Sequence, residues 1–358
     1  MGLSAHDFAQ AFAAPEVVMT RSTRVAGTPT VPSRWLLRIE TLLPENQQIA
    51  GAQEYLHWYE ELDAPEAVRP IATPKPMPPV AARPRELPVT RIETWIRDPY
   101  AIYARYILRL KPLDQLDADP GAAERGQFIH KALDAFVKRF PKELPANAEK
   151  ELLVIGETAF GKALERPSVR ALWWPRFTRI ATWFVAIERE RRAEGIFPLA
   201  TEVDGKITLS GSQGDFVLKA RADRIDRMAG GGIAIIDYKT GGVPSRKQVE
   251  SGLSPQLSLE AAIAAAGGFE GMEMATPEAL LYIQLTGRTP PGEIKPIKAG
   301  ATELAEATLE GLRGRIATFD DENTPYLSRL RPMFLSHEGD YDHLARIKEW
   351  SADVEADE

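Results

Sequence analysis

Asp223, Asp237 and Lys239 are the residues of this 358-residue chain whose types and spacing point most directly to chemistry. They lie in KARADRIDRMAGGGIAIIDYKTG, two β-prone stretches joined by three glycines, Gly230 to Gly232. If the glycines form a hairpin tip and pairing is symmetric about Gly230, both aspartates lie seven residues from the centre and face each other. Strand alternation places Lys219, Arg221 and Asp223 on one polar face, and Asp237 with Lys239 on the matching face of the next strand. Leu218, Ala220, Ala222, Ala234 and Ile236 then cover a core from the other side. Two opposed carboxylates repel unless a cation neutralises them. Mg²⁺ suits such a pair, because it takes carboxylate oxygens, keeps water and bridges to phosphate oxygens, which fits phosphodiester hydrolysis. Lys239 would orient or deprotonate the attacking water and balance charge. A solvated acidic hairpin with a flanking lysine has the same pattern, and hairpin geometry alone does not choose between the two.

The elements that must position these residues read as an α/β domain. TRIETWIRDPYAIYARYIL predicts a helix broken near Pro99. AAERGQFIHKALDAFVKRF predicts a helix with Ile129, Leu133, Phe136, Val137 and Phe140 on one buried stripe. RFTRIATWFVAIERERRAEG continues the helical pattern and stops at Gly195. EVDGKITL, DFVLKARADRID and GIAIIDYKT then read as strands. SPQLSLEAAIAAA reads as a helix capped by Ser254 with Pro255 in its first turn, EALLYIQLTG as a strand, and TELAEATLEGLRGRIATF as a late helix. DVEADE reads as a frayed terminus.

Upstream, eight prolines between Pro65 and Pro88 exclude regular helix or central strand and mark an extended linker or strap. Before it, SAHDFAQAF, capped by Ser4, VPSRWLLRIETLL and GAQEYLHWYEEL read as short helices, a small helical extension. The expected organisation is therefore 1–62, a linker over 63–88, and a main domain over 89–358.

Composition narrows the chemistry further. Hydrophobic residues at 44% and charged residues at 27% are those of a globular protein with a proper core. No apolar run is long enough to cross a bilayer and the start lacks a secretory pattern, so a cytoplasmic location is expected. With no cysteine, disulfides, thiolate zinc sites and cysteine-held iron–sulfur clusters are excluded, leaving carboxylates and histidines as metal ligands. A net charge of −7 argues against a uniformly basic surface, although a local basic groove remains open. Arg176, Arg179, Arg189, Arg191, Arg192, Arg246 and Lys247 are candidates for it, or are solvated helix faces.

The central string resembles the catalytic core of the RecB-like branch of the PD-(D/E)XK nuclease superfamily: a small residue, two positions, Asp, a hairpin, then Asp-Tyr-Lys-Thr. Asp223, Asp237, Tyr238, Lys239, Thr240 and Gly241 match it. RGQFIHKALDAF resembles the family's Gly-x-x-x-His helix, placing His130 as a metal ligand. SPQLSLEAAI resembles its Gln-Leu helix, so Gln256 would line the site, with Glu260 where a tyrosine is common. The resemblance implies a restriction-endonuclease-like fold, a mixed central sheet flanked by helices. It also implies a nuclease using Mg²⁺, or Mn²⁺ as a substitute, with His130, Asp223 and Asp237 as ligands and Lys239 and Gln256 positioning water and phosphate. Glu202 would be an additional acidic residue or a plain surface glutamate.

The opening segment, with MTRSTR, resembles the end of a superfamily 1 helicase core. The whole chain resembles the C-terminal third of AddB-type subunits of AddAB helicase–nucleases. That implies single-stranded DNA ends as substrate, an AddA-type partner subunit, and a role in preparing broken ends for recombination. No GxxxxGK[ST] loop occurs, so ATP hydrolysis is not expected of this chain. Many such relatives bind a [4Fe–4S] cluster whose first cysteine would fall near Asp98. Here packing by Trp95, Tyr100, Tyr103 and Tyr106 against the C-terminal segment would replace that staple. The competing classes are a non-catalytic nuclease-like scaffold that binds DNA or a helicase, and a stand-alone nuclease of the CRISPR-adaptation type.

Overall fold

The computed structural model describes residues 2–44, 53–67, 71–113, 121–330 and 339–350; DVEADE lies outside them. These residues form two compact units, one within Met1–Ala72 and Ile347–Glu358, the other within Thr73–Arg346.

The smaller unit holds helices Gly2–Phe12, Arg34–Leu42 and Gln53–Asp63 and a two-stranded ribbon. Ser33 caps the second helix by accepting from the Trp35 N–H. Phe8 stacks on Trp35 with ring centroids 5.9 Å apart. Ser4 is not a cap, because the first helix already begins at Gly2.

In the larger unit the chain runs β1 (Glu86–Pro88), α1 (Val89–Arg97), α2 (Ala122–Arg139), α3 (Ala148–Phe160), α4 (Trp174–Ala193), β2 (Phe197–Leu209), β3 (Phe216–Arg227) and β4 (Ile233–Lys239). It continues through α5 (Gln256–Ala265), β5 (Pro277–Leu285), β6 (Gly292–Ile297) and α6 (Ala301–Asp320). The strands make one mixed sheet. β2 lies antiparallel along one edge of β3, while the other edge takes β1 in parallel at Val217–Lys219 and β4 antiparallel at Arg224–Arg227. β4 and β5 are parallel and β6 closes the sheet antiparallel.

Helices cover both faces. On one, α1, α5 and α6 bury Ile92, Trp95, Leu257, Ile263 and Leu312 against Ile233, Ile235, Leu280 and Tyr282. On the other, α2, α3 and α4 bury Ile129, Leu133, Phe136, Leu152 and Phe184 against Ala234, Ile236, Tyr238 and Ile283. β4 is thus apolar on both sides, as the continuous run IAII requires and a one-sided hairpin does not allow. This corrects the expected wet face of Asp237: its side chain is 3% exposed.

The Pro-rich segment from Thr73 onward belongs to the larger unit. The Pro76 carbonyl accepts from the Tyr326 N–H, and Arg83 donates to the carbonyls of Phe319, Asp321 and Glu322. Around Asp98, three of the four aromatics expected to pack against the C-terminal segment, Trp95, Tyr100 and Tyr103, reach it. Trp95 stacks on Phe216 and meets Phe319 at 5.0 Å, Tyr103 lies 6.2 Å from Tyr326, and the Tyr100 N–H donates to the Leu327 carbonyl. Ser254 does not cap α5 as expected; its buried hydroxyl accepts from Arg97 instead.

Candidate metal-dependent active site

The hairpin register is the one counted from Gly230: Arg224 pairs with Ile236, Ile225 with Ile235, and Asp226 with Ala234. The next pair in this register, Asp223 with Asp237, is the point where the ladder stops. β1 has left β3 at Lys219 and β4 joins only at Arg224, so Asp223 sits in a fork of the sheet. Its Oδ2 accepts from the Tyr238 N–H at 2.9 Å, a donor that a continuing ladder would have used. Alternation also slips here: Ala222 and Ile225, three residues apart, face the same core layer.

From this fork the two aspartates turn to different partners. Asp223 Oδ2 lies 3.5 Å from His130 Nδ1, and ligand atoms of His130, Asp223 and Glu202 all lie within 4.8 Å of one another. His130 is delivered by α2, its ring edge-on to Tyr238 at 5.7 Å. Glu202 is delivered by β2, opposite Asp223 in the flanking register of Thr201 with Arg224 and Val203 with Ala222. A bulge precedes it, its backbone has φ of 48°, and Arg221 holds its Oε2 at 2.8 Å. A non-glycine residue with such a φ is strained by about 1 kcal/mol or more.

Asp237 lies outside that cluster. Its Oδ1 accepts from Gln256 Nε2 at 2.7 Å and from Lys239 Nζ at 2.9 Å; its Oδ2 lies 2.8 Å from the same amine but accepts no hydrogen bond. Lys239 also donates to Gln256 Oε1 at 3.3 Å, and Gln256 donates to Glu260 at 3.1 Å. The five sequence-predicted residues therefore form two adjoining groups, His130 with Asp223 and Asp237 with Lys239 and Gln256, joined through Tyr238.

The electrostatics follow from burial. Burial raises the Asp237 carboxyl to about 6, with Lys239 opposing and the Asp223 charge adding to it. Glu260 is driven well above its ordinary value, first by burial and then by Asp237. Burial alone would lower His130, but its hydrogen bond to Asp223 and the charges of Asp223, Asp237 and Glu202 raise it. For Lys239 burial likewise lowers and Asp237 raises, with a net rise, so the amine stays protonated. Repelling carboxylates, one imidazole and a buried carboxylate oxygen that accepts no hydrogen bond and contacts only the Lys239 amine make a hard nitrogen and oxygen donor set, which fits a divalent cation of the Mg²⁺ or Mn²⁺ type.

Glu202 was readable as more than a surface glutamate. Counting symmetrically about the Ser210–Asp215 turn, as for the glycine turn, sets it opposite Asp223. Among the candidate basic residues, Arg191 and Arg192 are not surface groups: they hold Asp226 and Glu188 in a buried ion cluster centred on Arg224. Arg246 is paired with Glu250.

A family model described as PD-(D/E)XK nuclease superfamily matches residues 86–329. A Rickettsia bellii protein described as uncharacterized is 33% identical over 186 residues, covering 52% of this chain and 22% of that one. A Rickettsia felis protein so described is 28% identical over 262 residues, covering 71% and 30%. The B subunit of the ATP-dependent helicase/deoxyribonuclease of Enterococcus faecalis is 27% identical over 233 residues, covering 56% and 19%. The matched region thus spans from 19% to 30% of the length of these three relatives.

Proposed function

The chain belongs to the PD-(D/E)XK nuclease superfamily, and from that premise we propose that it hydrolyses phosphodiester bonds of DNA with Mg²⁺, Mn²⁺ being a substitute. The observation that carries this reading is the fork at Asp223, where one carboxylate is shared between His130 and the main chain of Tyr238, next to the Asp237–Lys239–Gln256 group. His130, Asp223 and Asp237 would hold the ion, with Glu202 as a further ligand. A bound cation supplies polarisation of the phosphate and a water acidic enough to attack it. Lys239, protonated and anchored on Asp237, would hold positive charge toward the pentavalent phosphate, and Gln256 would orient both. Beneath them the Glu260 carboxyl is pushed toward its neutral form by burial and by Asp237.

The reading at the level of a larger assembly rests on the name of the Enterococcus relative. In it, residues 1–62 are a remnant of a helicase core, 63–88 a strap and 89–358 the nuclease, working in the cytoplasm with an AddA-type partner. It would degrade single-stranded ends, as an exonuclease, in recombinational repair of broken DNA. Among the described residues no helix is long and apolar enough to cross a membrane.

Cleavage of labelled single-stranded DNA in Mg²⁺ and in excess chelator tests the core proposal. Metal-dependent products that vanish in Asp237→Ala are expected; native-rate cleavage by that variant, or binding without any metal-dependent product, would remove the mechanism and leave a scaffold.

A further inference from the structure

Three arginines from separate elements meet beside the proposed metal site, and no carboxylate lies within ion-pair distance of any of them among the described residues. Arg125, at the start of α2, donates to the Thr240 carbonyl at 3.3 Å, one residue past Lys239. Arg176 lies in the first turn of α4, and the β5–β6 turn rests on it: a Cβ at Gly287 would stand 2.6 Å from the Arg176 Cβ and main-chain oxygen. The Gly287 carbonyl accepts from Arg179 Nε at 2.7 Å, which fixes the exposed Arg288 in the same turn. Gln284, at the end of β5, donates to the Gly241 carbonyl at 2.7 Å and ties that turn to the segment carrying Lys239 and Thr240. The cluster thus stands at the carboxyl ends of parallel β4 and β5, where open α/β sheets bind ligands.

Like charges held together without counter-charges concentrate anions at the surface. Arg125 is lowered by burial and then by the charges of Arg176 and Arg288. We propose that Arg125, Arg176 and Arg288 form a track for the phosphodiester backbone of the DNA strand, on the side of the site reached from Lys239 through Thr240. The inference rests on the nuclease reading for its substrate. Of the basic residues grouped with Arg176 in the sequence, Arg191, Arg192 and Arg246 are ion-paired, while Arg125 and Arg288 were not among them.

The test is anisotropy of a labelled mixed-sequence oligonucleotide, single-stranded and as duplex, bound by the full chain in chelator. Titrations run between about 50 and 200 mM salt. Each lost phosphate contact removes about five-fold in affinity at ~0.1 M salt and about 0.7 from the slope of log K against log salt for a single strand. R176A/R288A should therefore bind about 25-fold more weakly with a slope smaller by about 1.4. R288E, in an exposed turn, is the second variant should the pair unsettle α4, and it should lose at least the single-contact share. R313A, whose arginine is paired with Glu310, should bind as the parent does. Loss on either strand form supports the track and identifies the form it holds. Unchanged affinity and slope in both variants overturns it, as does a loss of binding to anionic vesicles with oligonucleotide binding intact. Because binding is read without metal, failure of the parent to cleave in Mg²⁺ counts against the nuclease reading and leaves this result standing.

Discussion

Replacing Asp237 by asparagine should stabilise the metal-free protein while removing its proposed activity. The Asp237 carboxyl, buried and bonded to Gln256 on the helix that also bears Glu260, is moved by burial from 3.8 to about 6. That displacement means ionising this carboxyl costs about 3 kcal/mol more in the folded protein than in the unfolded chain. The sign follows from linkage: the folded protein binds this proton more tightly than the unfolded chain, so stability falls as pH rises from about 4 through about 6 and is level above that. Asparagine keeps the shape and the acceptor for Gln256 Nε2 and has no charge to bury. The Lys239 contact it loses is already counted in the net displacement. In chelator at pH about 7.5 the variant should gain about 2–3 kcal/mol, which in a domain of this size raises Tm by about 5–10 °C. At pH about 5 the gain should be roughly half as large. Scanning calorimetry of both proteins at the two pH values decides it. A variant no more stable than the parent at the higher pH, or a gain that does not shrink at the lower one, refutes the assignment of a strained buried charge to Asp237.

Two further outcomes are expected. Ligation requires a neutral imidazole, and His130 holds its proton at higher pH than the ordinary 6.5 because Asp223, Asp237 and Glu202 face it. Its proton therefore contributes stability below 6.5 that is lost as pH rises through the raised value, and Mn²⁺ affinity measured calorimetrically should weaken steadily from pH about 8 to about 6; a flat profile would count against His130 as a ligand. Arg224→Met would leave the fully buried carboxylates of Glu188 and Asp226 short of their shared partner, destabilising the fold by about 3–5 kcal/mol in urea denaturation, and a loss under about 1 kcal/mol would show that Arg191 and Arg192 suffice.

How far the site was legible depended on which strand carried the signal. A three-glycine turn fixes a hairpin centre, so the pairing of Arg224 with Ile236 followed from counting; the ladder stops there, and Asp223 and Asp237, expected side by side, take different partners. What counting did not supply was the second covered face of β4. IAIIDYK has the continuous apolar run of a strand buried on both sides, and once β5 and the helices are added Asp237 is enclosed rather than wet. α3 was not anticipated, because AEKELLVIGETAF carries a glycine within its helical pattern; Gly156 is there because Phe177 would collide with any Cβ, 2.1 Å away. β6 was missed for a similar reason: GEIKPI contains an interior proline, tolerated since it is an edge strand. Arg224 and Asp226 gave no warning either, since nothing in ADRID announces that two charged residues of a strand will be wholly enclosed.

That enclosed cluster bears on the site through one residue. Tyr238 is held at both ends by consecutive residues of β3. Its hydroxyl accepts from Arg224 at 3.3 Å, and its main-chain N–H donates to Asp223 at 2.9 Å. Its ring in turn abuts His130. Ion pairs among Arg224, Glu188, Asp226 and Arg191 add little net stability compared with an apolar core of the same shape, but they are directional and tolerate only one register. A slip of β3 by one residue would drive the guanidinium into the layer occupied by Ile225 and carry Asp223 away from the fork. The same strand pairing therefore sets both the position of a buried cation with no direct part in catalysis and the position of the carboxylate proposed to bind metal. Substitutions in α4, whose Glu188 and Arg191 hold that cation and its aspartate, reach the site by this path without touching a proposed ligand.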